Sequence, residues 1–330
     1  MLAAGLALSA AALFFEGVLR LLGNGYGNVP FDPHPTLHHV NPRNYRYVSY
    51  SPLKDYGGFP VHFDGNRRRV LPVAPPLSPV YRLALMGDSF AAGLEVPVEE
   101  SMAGRLARQG AGKTEVRNYG VTGYSPVLEE LQWRWEVASY RPTHVLLLLY
   151  CNDPVDDEGY LKKAVWDPAG KILAVPSSRS ALWIAVSRSS YLIRFVRKQL
   201  AVWDHRNEPG PEVGGFGEPL RPLDGPSAEA VLRLAQEVRA TGAQFLLAAV
   251  PSKALLFGAV KADGPVFSRL VKNWARLQGL DYLDLDPSFA EVSRQKPLYF
   301  PRDIHWNEEG HRVATEAVAG RWPELFPSPP

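Results

Sequence analysis

Val80-Tyr81-Arg82-Leu83-Ala84-Leu85-Met86-Gly87-Asp88-Ser89-Phe90-Ala91-Ala92-Gly93 decides how this chain folds. The largely apolar run Val80–Met86 reads as a buried strand that stops at Gly87, leaving Asp88-Ser89 at its carboxyl end. Open α/β sheets hold their ligands outside the carboxyl ends of their strands. A serine in that place also has its backbone N–H at the start of a helical turn, pointing at incoming negative charge. Taken alone, Gly-Asp-Ser is an ordinary turn. The chemistry depends on what the rest of the chain adds.

Downstream, the pattern is strand, helix, strand. A helix is expected over about Glu99–Gln109, then a short strand Glu115–Tyr119 ending at Gly120. Ser125-Pro126 starts the next helix, with serine as N-cap and proline at the first position. Its apolar face is expected from Leu128, Leu131, Trp135 and Ala138 at helical spacing. Thr143–Tyr150 is almost continuously apolar, the pattern of a central parallel strand buried on both faces, and it runs into Cys151-Asn152-Asp153-Pro154. Residues 155–225 interrupt the rhythm with one long helical pattern, Ala181–Trp203, flanked by Pro- and Gly-rich segments such as Glu208–Gly217. This inserted helical segment reads either as a cover over the sheet edge or as a membrane contact. The rhythm returns with helix Ser227–Ala240, strand Gln244–Val250, helix Val266–Leu277 and strand Asp281–Leu285. A last helix, about Glu308–Gly320, has Asn307 as its cap and two acidic residues in its first turn, where they suit the dipole.

Upstream, Leu2–Leu22 is apolar apart from Glu16 and Arg20 and spans about 30 Å as a helix, enough for a bilayer core. Glu16 and Arg20 stand four apart and can pair on one face. Residues 1–23 are therefore expected to be a membrane anchor or export signal, uncleaved because no Ala-x-Ala site follows the apolar run. Gly23-Asn24-Gly25-Tyr26-Gly27-Asn28 lacks the last glycine and the preceding strand of a dinucleotide fingerprint. Residues 24–79 read as an extended arm laid over the main domain, with strands at Asn44–Ser51 and Gly58–Phe63 and a turn at Asp64-Gly65. Residues 80–330 form the main domain. His34, His38 and His39 have no carboxylate or cysteine at metal-site spacing and are expected to be solvated or hydrogen bonded. Arg67-Arg68-Arg69 reads as a solvated turn.

Composition narrows the classes. With 330 residues, 46% hydrophobic and 21% charged, the chain has material for a full core. A net charge of +2 gives no basis for a nucleic-acid partner. A single cysteine, Cys151, excludes an intramolecular disulfide.

Four segments fall at strand ends or just before a helix: Gly87-Asp88-Ser89, Asn118-Tyr119-Gly120, Asn152-Asp153 and Asp303-Ile304-His305-Trp306. Together they contain what acyl transfer through serine needs. Ser89 is the candidate nucleophile, too weak unless a base takes its proton. His305 is the candidate base, with Asp303 to hold its tautomer and stabilise the imidazolium. The Ser89 and Gly120 N–H groups and the Asn152 amide are candidate oxyanion donors, one such donor being worth about 3–4 kcal/mol. Glycine at 120 would let a substrate approach the backbone.

On these residues the chain resembles the SGNH hydrolases, also called the GDSL esterase/lipase family. Gly87-Asp88-Ser89-Phe90 matches the first block, Gly120 the second-block glycine, Asn152 the third-block asparagine, and Asp303 and His305 the last block. The resemblance covers roughly 80–153 and 243–320. It implies a flavodoxin-like three-layer α/β/α sandwich with a central parallel sheet, here with an N-terminal helix and extended arm. It also implies serine-based ester hydrolysis without metal or cofactor. Two positions depart from the pattern. Tyr150 stands where the third block has glycine, and Arg302 stands where the last block has its aspartate, three before the histidine. The resulting Asp-x-His-Trp is similar to the alginate O-acetylation proteins.

The expected function is an extracytoplasmic serine esterase acting on an acyl ester, acetyl included, of a carbohydrate or lipid-like substrate, with the membrane reached through the N-terminal helix. The alternatives are an O-acyltransferase modifying an exported polysaccharide and a non-catalytic envelope binding protein.

Overall fold

His144-Val-Leu-Leu-Leu-Leu149 is buried at every position, and the sheet is built around it. In the computed structural model, which describes residues 2–22, 31–51, 53–206, 221–256, 258 and 264–326, five parallel strands form this sheet. They are β1 (Tyr81–Gly87), β2 (Thr114–Asn118), β3 (His144–Leu149), β4 (Gln244–Ala249) and β5 (Tyr282–Leu283). Their spatial order is β5-β4-β3-β1-β2. A strand with neighbours on both edges and helices on both faces needs apolar residues along most of its length, which β3 supplies from Val145 to Leu149.

Helices flank the sheet to give the three-layer α/β/α sandwich. Pro126–Gln132 packs against Gly225–Ala240, and Met102–Gln109 against Glu308–Arg321. Each helix start follows its capping chemistry. Ser101 Oγ accepts from Gly104 N–H, and Asn307 Oδ1 accepts from Glu309 and Gly310 N–H. The chain leaves β1 toward β2 and then crosses back to β3 on the other side of β1. This reversal opens a crevice between the carboxyl ends of β1 and β3, where such folds bind ligands.

Several local expectations are corrected. Ser125 does not cap its helix with its own side chain. Its hydroxyl donates to Asp157 (2.5 Å), and that carboxylate accepts the Val127 N–H in its place. The expected apolar face holds for Leu128 and Leu131, but Trp135 is exposed and Trp133 and Val137 are buried. A π-turn at Trp133–Val137 causes the change, because widening the helix rotates the residues that follow it. Ala181–Trp203 is two helices, Ala181–Ser189 and Tyr191–Arg206, broken at Ser190. The insertion also contains a small hairpin, Val165–Trp166 with Ile172–Ala174. Arg69 is buried rather than solvated, its guanidinium donating to the Gly93 and Val96 carbonyls.

Upstream of β1, Tyr45–Tyr50 and Gly57–Phe63 pair antiparallel, and Tyr47, Val61 and Phe63 pack on Ala92 and Leu94, just past Ser89. His38 and His39 are buried, their Nδ1 atoms 2.9 Å apart. The helix Leu2–Leu21 contains a stretch, Ala3–Leu21, that is long and apolar enough to cross a bilayer. The Glu16–Arg20 pair forms (2.7 Å). The stretches Gly23–Asn28 and Glu208–Gly217 lie outside the described residues.

Candidate active site

β1 ends at Gly87, whose φ of 144° favours glycine and whose position would bring a Cβ to 2.7 Å from the Leu148 carbonyl of β3. This close approach sets Ser89 beside β3. Asp88 accepts the Phe90 N–H (2.9 Å) and so caps the short turn Ser89–Ala92, leaving Ser89 as its first residue. Ser89 is nearly buried, at 6% exposure.

The Ser89 hydroxyl donates to His305 Nε2 (2.8 Å). On the far side of the ring, His305 Nδ1–H donates to Asp303 Oδ1 (2.5 Å). The carboxylate accepts only a proton, so it selects the tautomer whose Nε2 can take the serine's. The same Asp303 oxygen accepts the His305 backbone N–H (3.0 Å). Spacing of two residues thus makes an Asx turn that aims the carboxylate at its own histidine. Asp303 therefore meets the imidazole although Arg302 occupies the usual position.

Gly120 and Asn152 stand at the same edge of the sheet, but their donors have other partners. Gly120 N–H donates to Asn118 Oδ1 (2.8 Å), and Asn118 Nδ2 donates to the Ala91 carbonyl (2.8 Å). Asn152 Nδ2 donates one hydrogen to Asp156 (2.8 Å). Glycine at 120 has a packing reason that the sequence does not show. A Cβ there would lie 2.3 Å from Ala92 N and 2.6 Å from the Ala91 carbonyl carbon, so glycine is required by packing on the Ser89 turn. Tyr150 is a packing residue, its ring 4.6 Å from that of Phe90. Trp306 is fully buried between Phe90 and Phe289, behind the histidine.

Three residues of this site were missed in the sequence. Asp55 accepts the backbone N–H groups of Arg302 and Asp303 (both 2.7 Å) and pairs with the Arg302 side chain (3.2 Å). It comes from the Pro- and Gly-rich arm, where nothing marks one acidic residue above another. Lys253 is buried and donates to the carbonyls of Phe300 (2.6 Å) and Asp303 (2.7 Å), pinning the other side of that loop. Its position four residues past the end of β4 was a usable signal. Glu95 is buried near His305 with Oε2 unpartnered.

These carboxyls set the electrostatics. Burial pulls the His305 pKa down, but the charges of Glu95, Asp303 and Asp88 outweigh it and lift the imidazole to about 9. Burial pushes Asp88 up to about 7, and Glu95 is raised for the same reason. Asp303 is lowered, burial being overcome by its bonds to His305. Since the histidine's folded pKa lies above its ordinary 6.5, its pairing stabilises the fold fully below pH 6.5 and loses that contribution as pH rises through about 9.

A serine hydroxyl, an imidazole and a carboxylate in line at a sheet's carboxyl edge can take a proton from the serine oxygen and return it to a leaving group. No curated protein matches the chain. Among solved structures, it is similar to a member of the lipolytic protein G-D-S-L family from Veillonella parvula DSM 2008, at 12% identity and a TM-score of 0.40 over 73% of this chain and 98% of that one. It is also similar to a variant of Axe2, an acetyl-xylooligosaccharide esterase from Geobacillus, at 14% identity and a TM-score of 0.42 over 74% and 94%. The model of the GDSL-like lipase/acylhydrolase family matches residues 85–313, which run from the last apolar residues of β1 through His305 into the final helix. With more than half of its length and its whole serine–histidine–aspartate line inside that match, the chain belongs to the GDSL-like lipase/acylhydrolase family.

Proposed function

We propose that this hydrolase is a membrane-anchored serine esterase that cleaves an acyl ester, acetyl included, of a carbohydrate or lipid-like alcohol. The observation that carries the reading is the unbroken line Ser89 Oγ–His305–Asp303. Ser89 Oγ attacks the ester carbonyl as its proton passes to His305 Nε2. The collapsing tetrahedral intermediate releases the alcohol, which takes that proton, and water then cleaves the acyl-enzyme by the same steps. Ser89 N–H, Gly120 N–H and the second Asn152 amide hydrogen serve as oxyanion donors, Gly120 N–H being shared with Asn118 Oδ1. Residues 1–23 are the anchor, 24–79 the arm, and 80–330 the catalytic domain carrying the insertion at about 155–225, on the extracytoplasmic side.

The test is intact-mass analysis after exposure to a fluorophosphonate, with Ser89→Ala alongside. One adduct on the wild type and none on the variant is expected. A folded wild type that takes no adduct between pH 7 and 10 would overturn the reading. Product analysis with an aryl acetate and a sugar acceptor separates hydrolysis from transfer: free acetate is expected, and acetylated sugar as the main product would make the protein a transferase.

Asn152→Ala is expected to lower kcat about a hundredfold or more; an unchanged kcat removes Asn152 from the oxyanion hole. Because only neutral His305 can act as base, kcat/KM should rise with pH through a midpoint above 6.5, toward about 9. Glu95→Gln removes a negative charge that favours the imidazolium, so the midpoint should move to lower pH. A pH–rate profile of the two proteins checks this, and coincident profiles would discard Glu95 as the source of the shift.

A further inference from the structure

Among the described residues, the helix Leu2–Leu21 meets the rest of the protein near its carboxyl end. Ala3–Phe15 is exposed at every residue, whereas Glu16–Val18 are half-buried and Leu19 is buried. The partner is the junction of the two insertion helices. Glu16 accepts from Ser190 Oγ (2.9 Å), Tyr191 N–H (3.0 Å) and Leu192 N–H (2.8 Å), so its carboxylate caps helix Tyr191–Arg206. Arg20 donates to the Ser189 carbonyl (2.5 Å), closing helix Ala181–Ser189.

Length then constrains where a bilayer can sit. At 1.5 Å per residue the free stretch Ala3–Phe15 covers about 20 Å, against a hydrocarbon core of about 30 Å. The whole candidate span, Ala3–Leu21, covers about 29 Å. Crossing therefore requires the bilayer to rise past Glu16 to the level of Leu21, and so past the Ser189–Leu192 junction that Glu16 and Arg20 hold. The two helices that meet there are suited to this. Leu182, Trp183 and Val186 are exposed on the first, and Phe195, Val196, Leu200 and Trp203 on the second. Val196, Leu200 and Trp203 follow one face at helical spacing, and exposed Arg179 and Arg197 supply positive charge. Interfacial helices bury their apolar face about 5–10 Å into the headgroup boundary, with tryptophan enriched there. That depth matches the roughly 10 Å by which the free stretch falls short. The Glu16–Arg20 pair is then satisfied inside the apolar span by helix ends that arrive at the same depth.

We infer that helices Ala181–Ser189 and Tyr191–Arg206 are a membrane-surface element, lying in the headgroup region of the bilayer that Ala3–Leu21 crosses. The inference rests on the anchor reading above and extends it to the insertion. It also relates the membrane to the site. Helix Tyr191–Arg206 holds Tyr45 through Arg194 (3.1 Å to the Tyr45 hydroxyl) and covers the Tyr50 ring with Lys198 (4.2 Å). These tyrosines belong to the hairpin whose connecting loop carries Asp55 to the Arg302 and Asp303 amides.

The test uses the full chain reconstituted in phosphatidylethanolamine–phosphatidylglycerol vesicles, with a spin label at Trp183→Cys, Leu200→Cys or, as reference, Leu277→Cys. All three are exposed positions, and native Cys151 is buried. At 183 and 200 the label should collide with oxygen more than with a water-soluble nickel chelate, and at 277 the reverse. Two results at 183 and 200 overturn docking while leaving the anchor standing, provided an alkaline carbonate wash leaves the chain in the vesicles. One is a preference for the chelate; the other is spin–spin broadening, which would mean that a second copy covers the patch. A chain that the wash strips off overturns anchor and docking together. Esterase activity enters none of these readouts, so failure of the catalytic reading is distinguishable.

Discussion

Ser89→Ala lowers kcat/KM for an aryl acetate by a factor on the order of 10⁵–10⁶ and shifts Tm by no more than about 4 °C. The first part follows from the chemistry. Alanine has no oxygen to form the acyl-enzyme, and the residual rate comes only from water and whatever donors surround the bound ester. The second follows from what the hydroxyl touches. Ser89 Oγ meets His305 and, at a marginal 3.4 Å, Asp88. His305 keeps its bond to Asp303, and Asp88 keeps the Phe90 N–H. No buried charge loses its main partner, so the fold has little to lose. Steady-state kinetics and a thermal melt on the same preparation check both parts. A variant within tenfold of wild type would remove Ser89 as nucleophile, and one that is inactive but unfolded would leave the assignment unsupported by this pair of measurements.

Asp303→Asn should cost about 10³–10⁴ in kcat. Asp303 Oδ1 now takes both hydrogen bonds from His305, at the ring and at the backbone. An asparagine can satisfy the backbone with its oxygen while its NH₂ faces Nδ1. That favours the tautomer with its proton on Nε2, aimed at Ser89, which cannot accept the serine's proton. The substitution also removes a charge that raises His305, so the acid limb of the pH profile should move to lower pH. Glu95→Gln shares the second effect without the first. A fall in kcat for Asp303→Asn with only a displaced limb for Glu95→Gln separates the residue that bonds the imidazole from the one that only charges its surroundings. Equal kcat for Asp303→Asn and wild type would remove Asp303 from the relay.

Much of this architecture is legible locally. A strand with neighbours on both edges between two helical layers carries few polar side chains, so the nearly continuous apolar run in Thr143–Tyr150 announces the sheet centre, and the other four strands follow within a few residues of their sequence limits. The helix start at Glu308 is read from Asn307, because capping is a contact between residues two or three apart, whereas the helix expected from about Glu99 starts at Met102, behind the Ser101 cap. Ser89, Asp303 and His305 can be named as candidates because few side chains suit nucleophilic acyl chemistry, and these stand at a strand end or just before a helix.

Where signals act over longer distances, the sequence is silent or misleading. Trp135 has the right spacing for a buried face, yet it stands exposed within a π-turn that its spacing does not announce. Arg69 reads as one of three surface arginines, yet it is buried because two carbonyls near Ser89 require a donor. Asp55 stands among prolines and glycines, but it holds the Asp303 loop in place from almost 250 positions away.

What this chain determines by itself is the strands of its central sheet, most of the helices that flank them, its family and the residue types at the centre of its candidate site. These depend on periodicity and short-range hydrogen bonding, whose energies are settled between neighbours. Only the tertiary structure decided that Ser89 meets His305 at 2.8 Å across 216 positions, that Gly120 is glycine for packing, and that Glu16 caps a helix of the insertion. Those are contacts between distant segments, formed only when the sheet order brings their ends together.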